Sequence, residues 1–351
     1  MSAKRLPVLD HLVAMTDETG LIQHATHDTP NRSTGYCTDD IARALIVGVD
    51  AASRAGSEEI GARLVTVYLS YLHDAQMSDG WFHNFMGYDR TWQDQRGTPD
   101  SFGRALWGLG YAMRFAPRDS WRRVAGDLVM RALPHVEQLE HRRSRAYAAL
   151  GLVHAFGAQH ADRPLIRESL AQLVGSLTRD FERHRAPDWT WCEHRMTYDN
   201  ARLCEALVRG GAALGERGAV QAGLAMLDFY IDVTIEDGTF VPVGNDGWYA
   251  RGGEKSRYGQ QPLEAAGMID AALAAYALTG IERYRHAADV AFDWYFGRNT
   301  AGAMMVTRGG CRDGIDPAGV NPNMGAESTV AYLLGAVALA RETTERLQIA
   351  R

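Results

Sequence analysis

The chain has 351 residues, 46% of them hydrophobic and 23% charged, with a formal net charge of −6. That balance excludes wholesale disorder, and the absence of a basic stripe argues against a nucleic-acid binder. No run of about eighteen apolar residues is present to span a membrane, and residues 1–12 lack the charged, apolar and small-residue succession of a signal peptide, so a cytoplasmic protein is expected.

Strand signals are scarce, whereas two kinds of helical pattern alternate along the chain. Pro7 to Met15 reads as a short helix. An inner helix is predicted to begin near Asp39, followed by an amphipathic partner over 57–72, where Ile60, Leu64, Val67, Tyr68 and Tyr71 recur at helical spacing. The segment 100–115 is apolar or small on nearly every side, the mark of a helix buried all round, and its one-faced partner covers 119–137. The alternation repeats from Ser144 with 164–182, from Tyr198 with 217–233, and from Leu263 with 281–296. A sixth inner helix starts at Ala326, and the N-terminal helix is left to partner it. Six inner and six outer helices predict an all-α, single-domain (α/α)6 barrel, with an open solenoid as the alternative architecture.

The Gly- and Pro-containing segments 80–99, 187–197, 237–262 and 300–325 each precede an inner helix, so they gather at one end of such a barrel. The same end collects Asp39, Asp40, Asp100, Asp199, Glu264 and Glu327 at or just before inner-helix starts. One reading is that these acids only cap helix N-termini or pair with Arg43 and Arg104, four residues after Asp39 and Asp100. The other is a ligand site, because so many carboxylates around one mouth repel each other without a compensating partner. The loops add Trp81, His83 and Asn84, then Trp191, Glu193 and His194, then Trp248 and Gln261. Rings for stacking and polar groups for hydroxyls suit a sugar.

Glycoside cleavage needs one protonated and one ionised carboxyl across the bond. Helix N-termini favour the ionised form, pointing to Asp40, Asp199, Glu264 and Glu327; an aromatic loop favours the protonated form, pointing to Asp100 and Glu193. His83 and His194 are the pair an epimerase would use. Cys37, Cys192 and Cys311 with Glu193 and His194 lack metal-ligand spacing, and Arg308-Gly309-Gly310-Cys311 lacks the Lys-Ser/Thr of a phosphate loop, so neither metal nor cofactor is expected.

Several segments also carry a resemblance: Gly35-Tyr36-Cys37-Thr38-Asp39-Asp40, Asp100-Ser101-Phe102-Gly103-Arg104-Ala105-Leu106-Trp107, Tyr198-Asp199-Asn200-Ala201-Arg202-Leu203, Gln260-Gln261-Pro262-Leu263-Glu264-Ala265-Ala266 and Gly325-Ala326-Glu327-Ser328-Thr329. Together they resemble a bacterial family of glycosidase-like (α/α)6 domains, often encoded beside or fused to glycosyltransferases. Ile41 departs from that pattern, which carries Asn after the second aspartate. The resemblance implies the six-hairpin fold of many glycoside hydrolases, sugar lyases and epimerases, and a functional association with a glycosyltransferase. The expected function is an oligosaccharide-cleaving glycoside hydrolase; the alternatives are a sugar epimerase or isomerase and a non-catalytic glycan-binding partner.

Overall fold

Residues 7–158, 160 and 162–349 are described by a computed structural model. Its helices are α1 (Asp10–Met15), α2 (Thr38–Ala52), α3 (Glu58–Ala75), α4 (Pro99–Phe115), α5 (Asp119–Ala132), α6 (Arg142–Gly157), α7 (Arg163–His184), α8 (Ala201–Leu214), α9 (Arg217–Thr234), α10 (Pro262–Thr279), α11 (Glu282–Asp293) and α12 (Ala326–Ile349). The even-numbered helices pack side by side in the order α2, α4, α6, α8, α10, α12, and α12 returns to α2, so the inner ring is closed. Each odd-numbered helix lies outside, with α1 against α12. This is the (α/α)6 barrel that the alternating patterns predict, and the closed contact of α12 with α2 rules out the solenoid.

Local chemistry sets the helix ends. At the start of α4, Thr98 accepts a hydrogen bond from the Ser101 N–H at 3.2 Å, and Pro99 fills the first position, where no N–H is needed. Gly215 and Gly280 close α8 and α10 with φ of 76° and 69°, left-handed values that cost glycine nothing. Two predicted boundaries move. The fourth inner helix begins at Ala201 rather than Tyr198, because Asp199 adopts φ 47° and cannot be helical. The outer helix predicted to reach 137 stops at Ala132 and tightens into a 3₁₀ turn, Leu133–Gln138, since Pro134 has no N–H to continue the ladder.

Burial separates the two rings. In α4 every residue from Ser101 to Met113 is buried, and in α10 every residue from Pro262 to Ala275. Among the described residues no helix is long and apolar enough to cross a membrane. Helices α2, α4 and α6 touch backbone to backbone through glycine: a Cβ at Gly108 would collide with the Ala42 carbonyl oxygen, and one at Gly110 with that of Gly151. Gly→Ala in a helix interior normally stabilises by about 1 kcal/mol. Gly110→Ala reverses that sign and destabilises by about 1–3 kcal/mol, the cost of overpacking, as a shift in the urea midpoint.

The loops at the helix N-terminal end are tied by short antiparallel pairs across repeats. Tyr36–Cys37 pairs with Phe85–Met86, and Arg195–Met196 with Tyr249–Ala250. They fix the loop residues relative to the starts of α2 and α8.

Candidate active site

A cavity of 430 Å³ opens at that end, against the starts of α2, α10 and α12. Asp39, Asp40 and Glu327 form its acidic floor, and Asn84, Gln261 and His24 also face it. Asp313, Asp316 and Asn321 contribute from the loop before α12. These last residues and His24 escaped the sequence-based selection; the signal was available in Asp313-Gly314, which interrupts the long loop preceding an inner helix.

The floor is organised by two buried guanidinium groups. Arg43 Nη2 lies 2.8 Å from Asp39 Oδ1, 2.8 Å from Asp40 Oδ1 and 3.1 Å from Glu327 Oε2. Arg104 bonds Asp39 Oδ2, donates to the Tyr147 hydroxyl at 2.9 Å and lies 3.6 Å from Asp199 Oδ2. The predicted pairing of Arg43 with Asp39 along one helix is present. The corresponding Arg104–Asp100 pair is not: Arg104 crosses to α2, while Asp100 accepts hydrogen bonds from the Ser144 and Tyr198 hydroxyls at 2.5 Å each.

Charge states follow from this arrangement. Burial opposes the Asp39 charge, but Arg104 and Arg43 outweigh it and hold the carboxyl below its ordinary value. For Asp40, burial pushes the carboxyl up to about 8; Arg43 pulls it down, and the charges of Asp39 and Glu327 add to the rise. Burial, followed by the charge of Asp199, raises Glu264 to about 7. The expectation that helix N-termini keep Asp40 and Glu264 ionised is therefore corrected, because desolvation of a fully enclosed carboxylate exceeds what the first turn of a helix supplies.

The six carboxylates do not act alike. Glu264 is spent on structure: it accepts from the Asp199 backbone N–H, from Asn200 N–H at 3.4 Å and from the Tyr230 hydroxyl at 2.7 Å, holding the turn into α8. Asp199 accepts the Tyr147 hydroxyl at 2.8 Å and is buried. Glu193, expected as an acid, is instead in a bidentate ion pair with Arg143 at 2.7 and 3.2 Å, outside the cavity lining. Glu327 differs from them all, with 41% of its side chain exposed.

The aromatic expectations change too. Phe85 is the aromatic side chain on the cavity wall. Trp81 is buried, stacked on Phe102 at 4.2 Å with its N–H donated to the Gly97 carbonyl, and Trp191 is fully buried against Tyr230. Both support loops from beneath and present no face to the cavity. His83 stacks on Trp92 at 4.8 Å and bonds Asp94 at 2.9 Å, whereas His194 is exposed and edge-on to His184. The two histidines thus do not converge. Trp248 remains half-buried, its ring 6.5 Å from that of Tyr198.

No protein-family model matches the sequence, and no curated protein does either. Solved structures do. A sugar epimerase from a ruminal bacterium superposes with a TM-score of 0.73 at 11% identity, covering 95% of this chain and 96% of its own. A cellobiose 2-epimerase from Bacillus thermoamylovorans gives 0.72 at 11% identity with the same coverage of both chains. A glycoside hydrolase family 9 endoglucanase gives 0.57 at 15% identity, covering 92% of this chain and 74% of its own. At such identities the likeness carries architecture and no activity: this chain has the six-hairpin (α/α)6 barrel of those sugar-processing enzymes.

Proposed function

We propose that the protein is a carbohydrate-active enzyme, a glycoside hydrolase in which Asp40 is the general acid and Glu327 the base or nucleophile. The observation that carries this reading is the Arg43 nitrogen that Asp40 and Glu327 share with Asp39, the last of which is also held by Arg104. Asp40 and Glu327 bond Arg43 Nη2 at 2.8 and 3.1 Å, which keeps them close enough to flank one glycosidic bond. Their environments are opposite: burial pushes the Asp40 carboxyl up to about 8, while Glu327 is partly exposed and faces the cavity as a partner of Arg43. Opposed environments are how two carboxyl groups divide acid from base duties. Asp40 would protonate the departing oxygen, and Glu327 would attack the anomeric carbon or deprotonate a water. Arg43 bridges the two and is placed to compensate the charge that moves between them. The test is sugar release from aryl glycosides and from gluco- and manno-oligosaccharides by wild type, Asp40→Asn and Glu327→Gln. Release retained by both variants, or none by wild type, overturns the assignment.

The acid role carries a pH signature. Asp40 must be protonated to work, so kcat/KM falls above about pH 8, and the limb disappears from the residual activity of Asp40→Asn. Stability shifts with the same proton. The folded value of about 8 lies above the ordinary 3.8, so the folded state holds more protons between them. The Asp40 contribution is therefore greatest below the unfolded value and is lost as pH rises toward 8. Denaturant midpoints measured across that range for wild type and Asp40→Asn read this directly.

A second reading, epimerisation or isomerisation of a reducing sugar, is favoured by His24 on the wall beside these carboxylates and by the epimerases among the similar structures. Conversion of cellobiose or mannose to an isomer, without release of a sugar, would establish it.

A further inference from the structure

The half of the mouth toward α4 and α8 contains an aromatic and a carboxylate that the acid–base pair does not use. Trp248 is half-buried, and its indole N–H finds no acceptor among the described residues. Three other tryptophans donate within the chain, Trp81 to the Gly97 carbonyl, Trp189 to that of Glu193 and Trp294 to Gln260 Oε1, whereas the buried Trp191 indole N–H, like that of Trp248, has no acceptor among the described residues. Trp248 also has φ 64°, a left-handed backbone that a bulky aromatic residue rarely adopts.

The surroundings hold it there. Trp248 N–H donates to the Gly244 carbonyl at 3.0 Å, and its own carbonyl accepts from Ser256 N–H at 2.9 Å. Tyr249, next in sequence, pairs with Met196 two residues before Tyr198. The ring is thereby brought beside Tyr198, whose hydroxyl donates to Asp100; Arg143 lies 4.8 Å over the Tyr198 ring. Asn245, at the beginning of the same turn, lines the acidic cavity. One loop therefore connects the acid–base floor to an aromatic platform with a half-buried carboxylate beside it.

We propose that Trp248, Tyr198 and Asp100 form a second sugar subsite next to the acidic cavity, so that the ligand is a di- or oligosaccharide held across the bond to be cleaved. This rests on the glycosidase reading for what happens to that bond, but the binding it describes is separate. The indole supplies a stacking face and one donor, and Asp100, whose two oxygens already accept from Ser144 and Tyr198, offers its remaining lone pairs to a ring hydroxyl.

The experiment titrates gluco- and manno-disaccharides and the matching monosaccharides into wild type, Trp248→Ala and Trp248→Phe by calorimetry, with KM and kcat measured for any disaccharide that is cleaved. Trp248→Ala weakens disaccharide binding and raises KM by about three- to tenfold with kcat little changed. Trp248→Phe recovers most of that, and monosaccharide affinity stays as in wild type. Cleavage with a KM that Trp248→Ala leaves unaltered overturns the subsite and spares the glycosidase assignment. Binding weakened by Trp248→Ala without any cleavage supports the subsite and removes the glycosidase. No binding by any sugar of the panel overturns both.

Discussion

Glu327→Gln lowers sugar release by about 10²–10⁴-fold while leaving the melting temperature essentially where it is. The two halves of that result come from the same geometry. Glu327 is the second residue of α12, 41% of its side chain is exposed, and its ion pairs are to Arg43 at 3.1 Å and Arg104 at 3.9 Å. Glu327 is partly exposed, and the buried Arg43 and Arg104 both keep Asp39 as a partner, so neutralising Glu327 costs only about 1 kcal/mol of stability. Glutamine keeps an oxygen for Arg43, so the floor retains its shape, but it can neither attack nor take a proton. Release assays and thermal melts on one preparation check both halves. A variant that keeps wild-type release sinks the role of Glu327; one that loses activity and stability together makes it a structural residue.

Arg104→Met is the opposite case, a large loss of stability. Arg104 is buried, bonds Asp39, lies 3.6 Å from Asp199 and donates to Tyr147 at 2.9 Å. Its removal takes one of two guanidinium partners from Asp39, which keeps Arg43, and one from Asp199, which keeps Arg202 at 3.6 Å, so the loss approaches but does not exceed the about 3–5 kcal/mol of breaking a buried pair from one side. The pH dependence identifies the cause. Asp39 is held below its ordinary value in the folded protein by Arg104 and Arg43, against the pull of burial. The stability it contributes is present above the unfolded value and is lost as pH falls. The gap between wild type and Arg104→Met in chemical denaturation is thus widest near neutrality and narrows toward pH 4, where Asp39 in the variant takes up a proton. Adding Asp39→Asn to Arg104→Met recovers part of the loss. A small, pH-independent gap would mean that Arg104 does no more than fill space.

The barrel was legible because its inner helices have no wet side. A segment such as 100–115 announces burial all round through composition alone, and α4 is buried from Ser101 to Met113. The choice among partners was not legible. Sequence spacing pairs Arg104 with Asp100, but the neighbouring helix offers Asp39, and two hydroxyls already occupy Asp100. Nor does a tryptophan in a polar loop disclose its orientation: Trp81 and Trp191 face inward, Trp248 only half so. The upward shift of the Asp40 carboxyl depends on its burial and on the neighbouring charges of Asp39 and Glu327, and Glu327 is brought there only when α12 closes the ring.

The glycine contacts divide the barrel mechanically. Helices α2, α4 and α6 meet backbone against backbone, where there is no side chain to yield. On the other side, Gly335 of α12 faces the side chain of Ile269 in α10, a layer that can repack. Asp39, Asp40 and Arg43 stand on the stiff arc and Glu327 on the compliant one. The two carboxylates thus stand on arcs of unequal stiffness, joined through Arg43, and on the proposed reading a sugar entering between them would shift Glu327 more readily than Asp40.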